Sequence, residues 1–560
     1  MGTMKKRMLV IVSAILVLSS VLAACSNSNS GGNDPKPSPT AAANTENAGA
    51  VEPTSDKWEL GAKPLEFSMY AHYENTDFPV WESKPLGKWL SENKQVKIKM
   101  ITANGEHTQK MNTMVASQTL PDVIWGERSD PDIQKLYAEG KLVAFDEYLD
   151  KYTNLKTWMT DLDLLRAEDG KLYGFPNWYT SRPAGNAGYV INKKIYEELG
   201  SPKLETTDDL YDYLVKVKEK YGSKIIPFEP HRAQDSQGLG VLYTAFGEES
   251  LYTYLNTRVL AVPKGDKLTS LFTDPVFREA TKYNAKLYRE KLISQDAFNQ
   301  TEDEVKEKVM TGRVAVFAGA SPTTFAGEAH EELIKKDPNA GYFMIWPIHK
   351  EGLDKNKIYP GTYTTLGWNS SFITTSAKDP EAIFAFLDWL TGPEGQNLSF
   401  FGPEGGNWDG FDDNGQPNFT ANYNAEEVSK IQSENEPLMI NGNTGYIDPA
   451  KMKYLLQFPP DQQEWRTRYQ SSITWPTQFN VTEFNDINPP TDSELGIIRQ
   501  AITDLWVEVN AKVVSQTKSD AEVDAVLDKA EADAQKLGYG KLLEYRTEKW
   551  QANIAKKAAK

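Results

Sequence analysis

One cysteine, Cys25, stands in 560 residues. It excludes an internal disulfide and any zinc or iron–sulfur centre built on cysteine. Histidine is also scarce. His72, His107, His231, His330 and His349 are scattered, and none forms His-x-His or His-Glu-x-x-His, so no metal site is expected. Positive charge is short: 61 basic residues face 78 acidic ones, for a net −17. Phosphate neutralisation needs clustered Lys and Arg, so a nucleic-acid partner is not expected. After residue 24 no long apolar run occurs, and the mean hydropathy of −0.55 excludes a polytopic membrane protein. No Gly-x-x-x-x-Gly-Lys cradle, dinucleotide turn or Gly-x-Ser-x-Gly elbow is present. Trp408 to Gly415 lacks the alternating oxygens of a calcium loop. Its Asp413-Asn-Gly415 reads as a hairpin turn. Carboxylates such as Asp122, Glu127, Glu404 and Asp409 could flank a glycosidic bond. Among 78 acidic residues, such a pair carries no signal.

What the chain does have is an address and many rings. Lys5, Lys6 and Arg7 precede an uncharged run from Met8 to Ala24, the layout of an export signal. The run ends in Leu22-Ala23-Ala24-Cys25, which resembles the lipobox of bacterial lipoproteins, whose cysteine receives lipid. Residues 1–24 are expected to be the signal and 25–57 a flexible tether, since Ser, Asn, Gly, Pro and Ala cannot build a core. A signal anchor is the other reading of the apolar run. The remainder holds most of the 14 Trp, 26 Tyr and 22 Phe.

From residue 64 strands and helices alternate. Pro64–Tyr70, Gln95–Ile101 and Leu120–Trp125 read as strands, with helices begun at Pro85 and near Gly105. Ala187–Ile191 reads as a strand, with Asn192 capping the next helix. Thr206 opens another helix, to about Tyr221, and one starts at Asp274. Lys224–Phe228, Arg313–Phe317, Tyr342–Trp346 and Ser371–Thr374 are further strands. From Ser493 the spacing is helical. This rhythm predicts an α/β fold with parallel sheets.

Several stretches then resemble, in order, those of the extracellular solute-binding proteins of bacterial ABC importers, especially the long, lipid-anchored sugar-binding members of Gram-positive bacteria. They are Leu120-Pro-Asp-Val-Ile124, Asp169-Gly-Lys-Leu-Tyr-Gly-Phe-Pro176, Gly188 to Gly200, Val309 to Val316, Ser376 to Leu390 and Phe401-Gly-Pro-Glu-Gly-Gly406. The resemblance implies a type II periplasmic-binding-protein-like fold: two lobes joined by crossing strands, with a helical C-terminal region. The N-lobe would comprise 58–185 plus about 362–402, and the C-lobe 186–361 plus about 403–560. Crossings are expected near 184–190, 367–374 and 402–410. The implied function is capture of a carbohydrate, an oligosaccharide by this reading, for a membrane permease. No catalysis and no cofactor are implied, and the chain is expected to act as a monomer outside the cell, held by lipid on Cys25. Some long members carry a calcium loop before the "yglP" segment. Arg166-Ala-Glu-Asp-Gly170 does not match it. A lipid-anchored polysaccharide-active enzyme, hydrolase or lyase, and an adhesin remain alternatives.

A sugar site needs flat rings and fixed polar groups. The loops after the predicted strands supply Tyr70 with Tyr73, Trp125, Glu127 and Arg128, and Asn177, Trp178, Tyr179 and Arg182. The return crossing adds Tyr363, Trp368 and Asn369, and the glycine-rich loop Asn407 and Trp408. His231-Arg232 is a candidate on the opposite wall. Any one ring could equally be core.

Overall fold

The computed structural model describes residues 57–73, 78–231, 237–250, 259–319, 321–460, 462–490 and 493–558. The expected signal, Cys25 and nearly all of the tether lie outside them, as does Arg232. In chain order the strands are β1 (Leu65–Ala71), β2 (Val96–Ile101), β3 (Val123–Gly126), β4 (Gly174–Asn177), β5 (Gly188–Asn192), β6 (Ile226–Pro230), β7 (Ala261–Lys264) and β8 (Lys267–Ser270). There follow β9 (Val314–Gly319), β10 (Tyr342–Ile345), β11 (Gly361–Tyr363), β12 (Asn369–Ile373), β13 (Trp408–Phe411), β14 (Pro417–Phe419) and β15 (Gln478–Asn480). One sheet has the order β2-β1-β3-β12-β4 and a second β10-β5-β9-β6.

Local chemistry explains the elements. All four residues of β3 and all six of β9 are buried; such doubly covered strands read as apolar runs rather than alternating ones. The helix Thr207–Tyr221 begins on a capping box, Thr206 with Asp209. Leu210, Tyr213, Leu214 and Val217 form its buried stripe. Asn192 accepts from the Ile195 amide and caps the helix Lys193–Glu198. Phe67, Phe145, Phe175, Phe384 and Phe386 pack beside the first sheet. Tyr189, Tyr213, Phe228 and Phe277 pack beside the second.

Strand direction decides where a site can form. β1 and β3 are parallel, β12 is antiparallel to β3, and β4 is antiparallel to β12. The ends of β1, β3 and β4 and the start of β12 therefore share one edge. In the second sheet β6 and β9 are parallel, with β5 antiparallel to β9 and β10 antiparallel to β5. The ends of β6, β9 and β10 share an edge with the start of β5. The chain leaves the first edge after Asn177 and enters the second at Gly188. It leaves the second after Ile345 and re-enters the first at Asn369. Both crossings thus join the two carboxyl edges, the places where open α/β sheets bind ligands.

The crossings differ from expectation in place. The return run ends before Asn369, because Asn369–Ile373 already pairs inside the first sheet. The third does not lie near 402–410. Gly402 and Gly405 have φ of 85° each and turn the chain back on itself. Trp408 Nε1 donates to the Gly402 carbonyl at 2.8 Å across that turn. The hairpin β13-β14 follows, so Asp413-Asn-Gly415 does lie in a hairpin loop. The next helices stay with the first sheet: the Leu86 amide donates to Asn435 Oδ1 at 2.9 Å, and the Gly442 amide to Asn177 Oδ1 at 2.6 Å. The chain first engages the second sheet at Trp465, whose Nε1 donates to the Tyr342 carbonyl at 2.8 Å. β15 then pairs with β11, parallel, so two crossings share a small sheet of their own. Beyond it, the helices Glu494–Ser515, Asp520–Leu537 and Tyr539–Ala558 pack on the second sheet's side through Trp506, Leu527 and Leu542.

Candidate functional site

The first edge carries a knot of rings. Tyr73 follows β1, Trp125 lies in β3, and Trp368 precedes β12. Their centroids are 5.1 Å (Tyr73–Trp125), 5.8 Å (Tyr73–Trp368) and 5.5 Å (Trp125–Trp368) apart. Trp125 is buried, while Trp368 is 49% exposed. Edge-on and tilted contacts of this kind are favoured ring geometries, and Phe78 packs on Trp125 as well, at 5.3 Å. Asn369 Nδ2 donates to the Tyr73 hydroxyl at 3.1 Å. Burial pushes the Tyr73 pKa up, the Asn369 bond notwithstanding, so the phenol remains a protonated donor.

Backbone turns hold the other groups in place. Gly367 has φ 69°, and a Cβ there would lie 2.0 Å from the Asn177 carbonyl oxygen. Only glycine allows that approach. Arg128 braces the same turn: Nη1 donates to the Leu366 carbonyl at 3.2 Å and Nη2 to that of Gly367 at 3.3 Å. Trp178 itself sits at φ 56°, a sparsely populated region for a bulky residue. Its half-buried ring lies against Gly442, where a Cβ would come within 2.4 Å of the indole, and against Phe400 at 6.0 Å. Glu127 is exposed.

Arg182 starts the first crossing. Its Nη2 lies 3.3 Å from Asp448 Oδ2, and its guanidinium sits 4.9 Å from the Trp475 ring. Alongside, the Gly185 amide donates to Gln478 Oε1 at 2.9 Å, and Thr474 Oγ1 donates to the Gly185 carbonyl at 2.8 Å. On the second edge, His231 follows β6. It is buried against Phe317 and Phe325, at 5.6 and 5.3 Å. Burial lowers its pKa and keeps the imidazole neutral.

Of the eleven residues put forward for a ligand, five carry a buried side-chain polar atom without a hydrogen-bond partner among the described residues. They are Trp125 Nε1, Arg128 Nε, Asn177 Nδ2, Arg182 Nε and Asn369 Oδ1. Both ring nitrogens of His231 share this state, as do Trp475 Nε1 and Gln478 Nε2. Buried polar groups are ordinarily paired, so these atoms are candidates to meet a ligand.

Three of the eleven have core roles instead. Tyr70 is buried within β1 and donates to the His107 carbonyl at 2.9 Å; strand alternation turns it away from the face of its neighbours. Tyr179 is buried, its hydroxyl 2.8 Å from Thr391 Oγ1. Trp408 is buried in a cluster with Phe400, Phe401 and Tyr446. Asn407 is also buried, donating to the Phe401 carbonyl at 3.0 Å. Sequence reading did not point to Trp475, Gln478 or Asp448. Trp475 and Gln478 become neighbours of the first crossing only through the late third one, and Asp448 through the helix Thr444–Leu455 that precedes it.

Among the described residues, one cluster could hold a metal: His72, with Nε2 at 3.2 Å from both Asp130 and Asp132. It caps the helix Pro131–Ala138, whose positive end suits the carboxylates and opposes a cation. An imidazole–carboxylate cluster accounts for it. The loop before β4 is likewise closed by a side chain. Arg166 Nη1 reaches Asp146 Oδ1 at 2.5 Å and the Gly170 carbonyl at 2.9 Å, and Nε reaches Asp163 at 2.9 Å. Those oxygens already surround a cation and do not suit calcium.

Residues 75–397, more than half of the chain, match the family model for bacterial extracellular solute-binding proteins. The chain belongs to that family. It is 23% identical over 304 residues to the melibiose/raffinose/stachyose-binding protein MelE of Bacillus subtilis, covering 52% of this chain and 64% of the relative. It is 22% identical over 211 residues to that organism's polygalacturonan/rhamnogalacturonan-binding protein YtcQ, covering 38% and 41%. These matches span less than two thirds of each relative's length. Among solved structures, the FusA substrate-binding protein of S. pneumoniae in complex with kestose aligns at TM-score 0.62 and 19% identity, over 88% of this chain and all of that one. The alginate-binding protein AlgQ2, solved without calcium ion, aligns at TM-score 0.60 and 19% identity, over 88% and 98%. The fold of this solute-binding protein is thus of the type II periplasmic-binding-protein class.

Proposed function

We propose that this solute-binding protein captures an oligosaccharide between the two carboxyl edges and delivers it to the permease of an ABC importer. The observation that carries this is the pairing of the Tyr73–Trp125–Trp368 rings with buried polar atoms that have unspent hydrogen bonds. Rings match the C–H faces of a sugar, and fixed N–H and C=O groups match its rim. The names of MelE and YtcQ support a carbohydrate. A thermal-shift screen over oligosaccharides tests the reading, since a ligand bound only by the folded state raises its midpoint. A rise with a purified oligosaccharide and no cleavage of it is expected. No rise with any glycan, or turnover of one, would sink the reading.

Capture between two edges joined by three crossings implies hinge closure. The radius of gyration by small-angle scattering is expected to fall when that sugar saturates the protein. An unchanged radius across a verified binding transition would remove the hinge while leaving the binding.

Delivery to a permease asks for a membrane tether, and Cys25 supplies one by lipidation. The wild-type chain is expected to partition with membranes and incorporate labelled fatty acid. Cys25→Ser should do neither; equal labelling of the mutant would overturn this.

A further inference from the structure

The end of the site nearest the crossings offers donors. Arg182 Nε, Trp475 Nε1 and Gln478 Nε2 are buried and have no hydrogen-bond partner among the described residues. All three are N–H groups that can only donate. They belong to one neighbourhood: the Arg182 guanidinium stacks at 4.9 Å on the Trp475 ring, and Gln478 reaches back to the Gly185 amide at 2.9 Å. Toward the aromatic end the pattern changes. Asn369 Oδ1, beside Tyr73, is unpartnered among the described residues, so an acceptor is present. The unpartnered groups are thus mixed beside the rings and donors beside the crossings.

Charged groups border the same end. Asp448 is held between Arg182 Nη2 at 3.3 Å and Lys451 Nζ at 3.9 Å. Glu464 and Arg466 also act on the Lys451 ammonium. The Glu464 oxygens are already spent on the Arg466 and Thr467 amides and the Thr467 hydroxyl. Burial disfavours the Lys451 ammonium and raises the pKa of the Asp448 carboxyl, so the Arg182 guanidinium is the cation this end presents, inside a chain of net charge −17.

Resting on the reading that the site takes an oligosaccharide, we propose that its crossing end receives a carboxylate, so that the ligand is an acidic oligosaccharide bearing a uronate. A carboxylate brings acceptors and no proton, which matches three buried donors. A planar guanidinium is the side chain best shaped to meet it. The hydroxymethyl group that a neutral hexose carries in the same position accepts through one oxygen only and brings no charge to the guanidinium. A site built on unpaired polar groups discriminates strongly against the analogue that lacks their partner.

Calorimetry on the full-length protein tests this. The probes are oligogalacturonates, alginate oligosaccharides, glucuronoxylan oligosaccharides and hyaluronan fragments. Each is run beside its carboxyl-reduced, neutral counterpart, and raffinose and kestose are added as neutral sugars. One acidic set is expected to bind, its reduced counterpart about 100-fold more weakly, with the gap narrowing as salt rises. Arg182→Gln is expected to weaken the acidic form far more than the reduced one and so to close the gap between them. Gln478→Glu, which leaves the guanidinium in place, should repel the acidic form selectively. If a neutral sugar binds as well as or better than every acidic one, or the variants weaken both forms alike, the carboxylate assignment fails and oligosaccharide capture stands. If no sugar of either kind binds, the functional reading itself falls.

Discussion

Trp368→Ala is expected to lower affinity for the captured oligosaccharide about ten- to hundredfold and to leave the ligand-free melting temperature nearly unchanged. The ring is 49% exposed, so the unliganded fold gains little from it. It borders Tyr73 and Trp125 on the first edge, and a sugar lying there would cover it. Burying an aromatic ring is worth about 1.5–3 kcal/mol, and about 1.4 kcal/mol is tenfold in affinity. Trp408→Ala should do the reverse. That indole is buried among Phe400, Phe401 and Tyr446 and donates to the Gly402 carbonyl. Its removal leaves a cavity and an unpaired carbonyl, at a cost of about 3–5 kcal/mol of stability. Calorimetric affinity and apo melting temperature, measured on both variants, separate the roles. Lost stability in Trp368→Ala with unchanged affinity would move that ring from the site to the core.

The contrast between these two tryptophans bears on how much of the molecule is legible in its sequence. Strands such as β3 and β9 announce themselves because continuous burial needs continuous apolar residues. Asn192, Thr206 and Asp274 are legible as caps because their side chains satisfy orphan amides within three residues. Those signals are local. Whether a ring near a strand end faces ligand or core is not local. Tyr70 and Tyr73 are three residues apart, yet Tyr70 is fully buried and Tyr73 joins the ring knot. The place of the third crossing is not local either. A glycine-rich loop can pass between lobes or reverse direction, and the reversal at Gly402 and Gly405 depends on Trp408 finding a pocket beside Phe401. Trp475 and Gln478 had no spacing to reveal them. Their partners, Arg182 and Gly185, lie almost three hundred residues earlier.

Lys308→Met is expected to cost about 3–5 kcal/mol, and Glu229→Gln added to it to return much of the loss. Glu229 lies in β6, fully buried, two residues before His231. Lys308 Nζ donates to Glu229 Oε2 at 3.1 Å, to Asp296 at 2.8 and 2.9 Å, and to Gln300 Oε1 at 2.5 Å. Gln300 Nε2 in turn donates to Glu229 Oε1 at 2.7 Å. Removing one partner of a buried pair strands the other charge, which is the source of the cost. Asp296 is more than half exposed and regains water when the ammonium goes; Glu229 cannot. Burial already holds the Glu229 pKa above its ordinary value, against the pull of Gln300 and Lys308. A carboxyl raised by folding favours the native state most below its unfolded pKa of about 4.3 and loses that benefit as pH rises through the folded value. Without Lys308 the folded value moves higher still. The deficit of Lys308→Met relative to wild type should therefore shrink as pH falls from 7 toward 5, measured by chemical denaturation. The double variant, with no carboxylate at position 229, should not show that recovery. A deficit that is flat with pH and unrelieved by Glu229→Gln would mean that packing of the Lys308 stem, and not its charge, holds the end of β6 beside the second wall of the site.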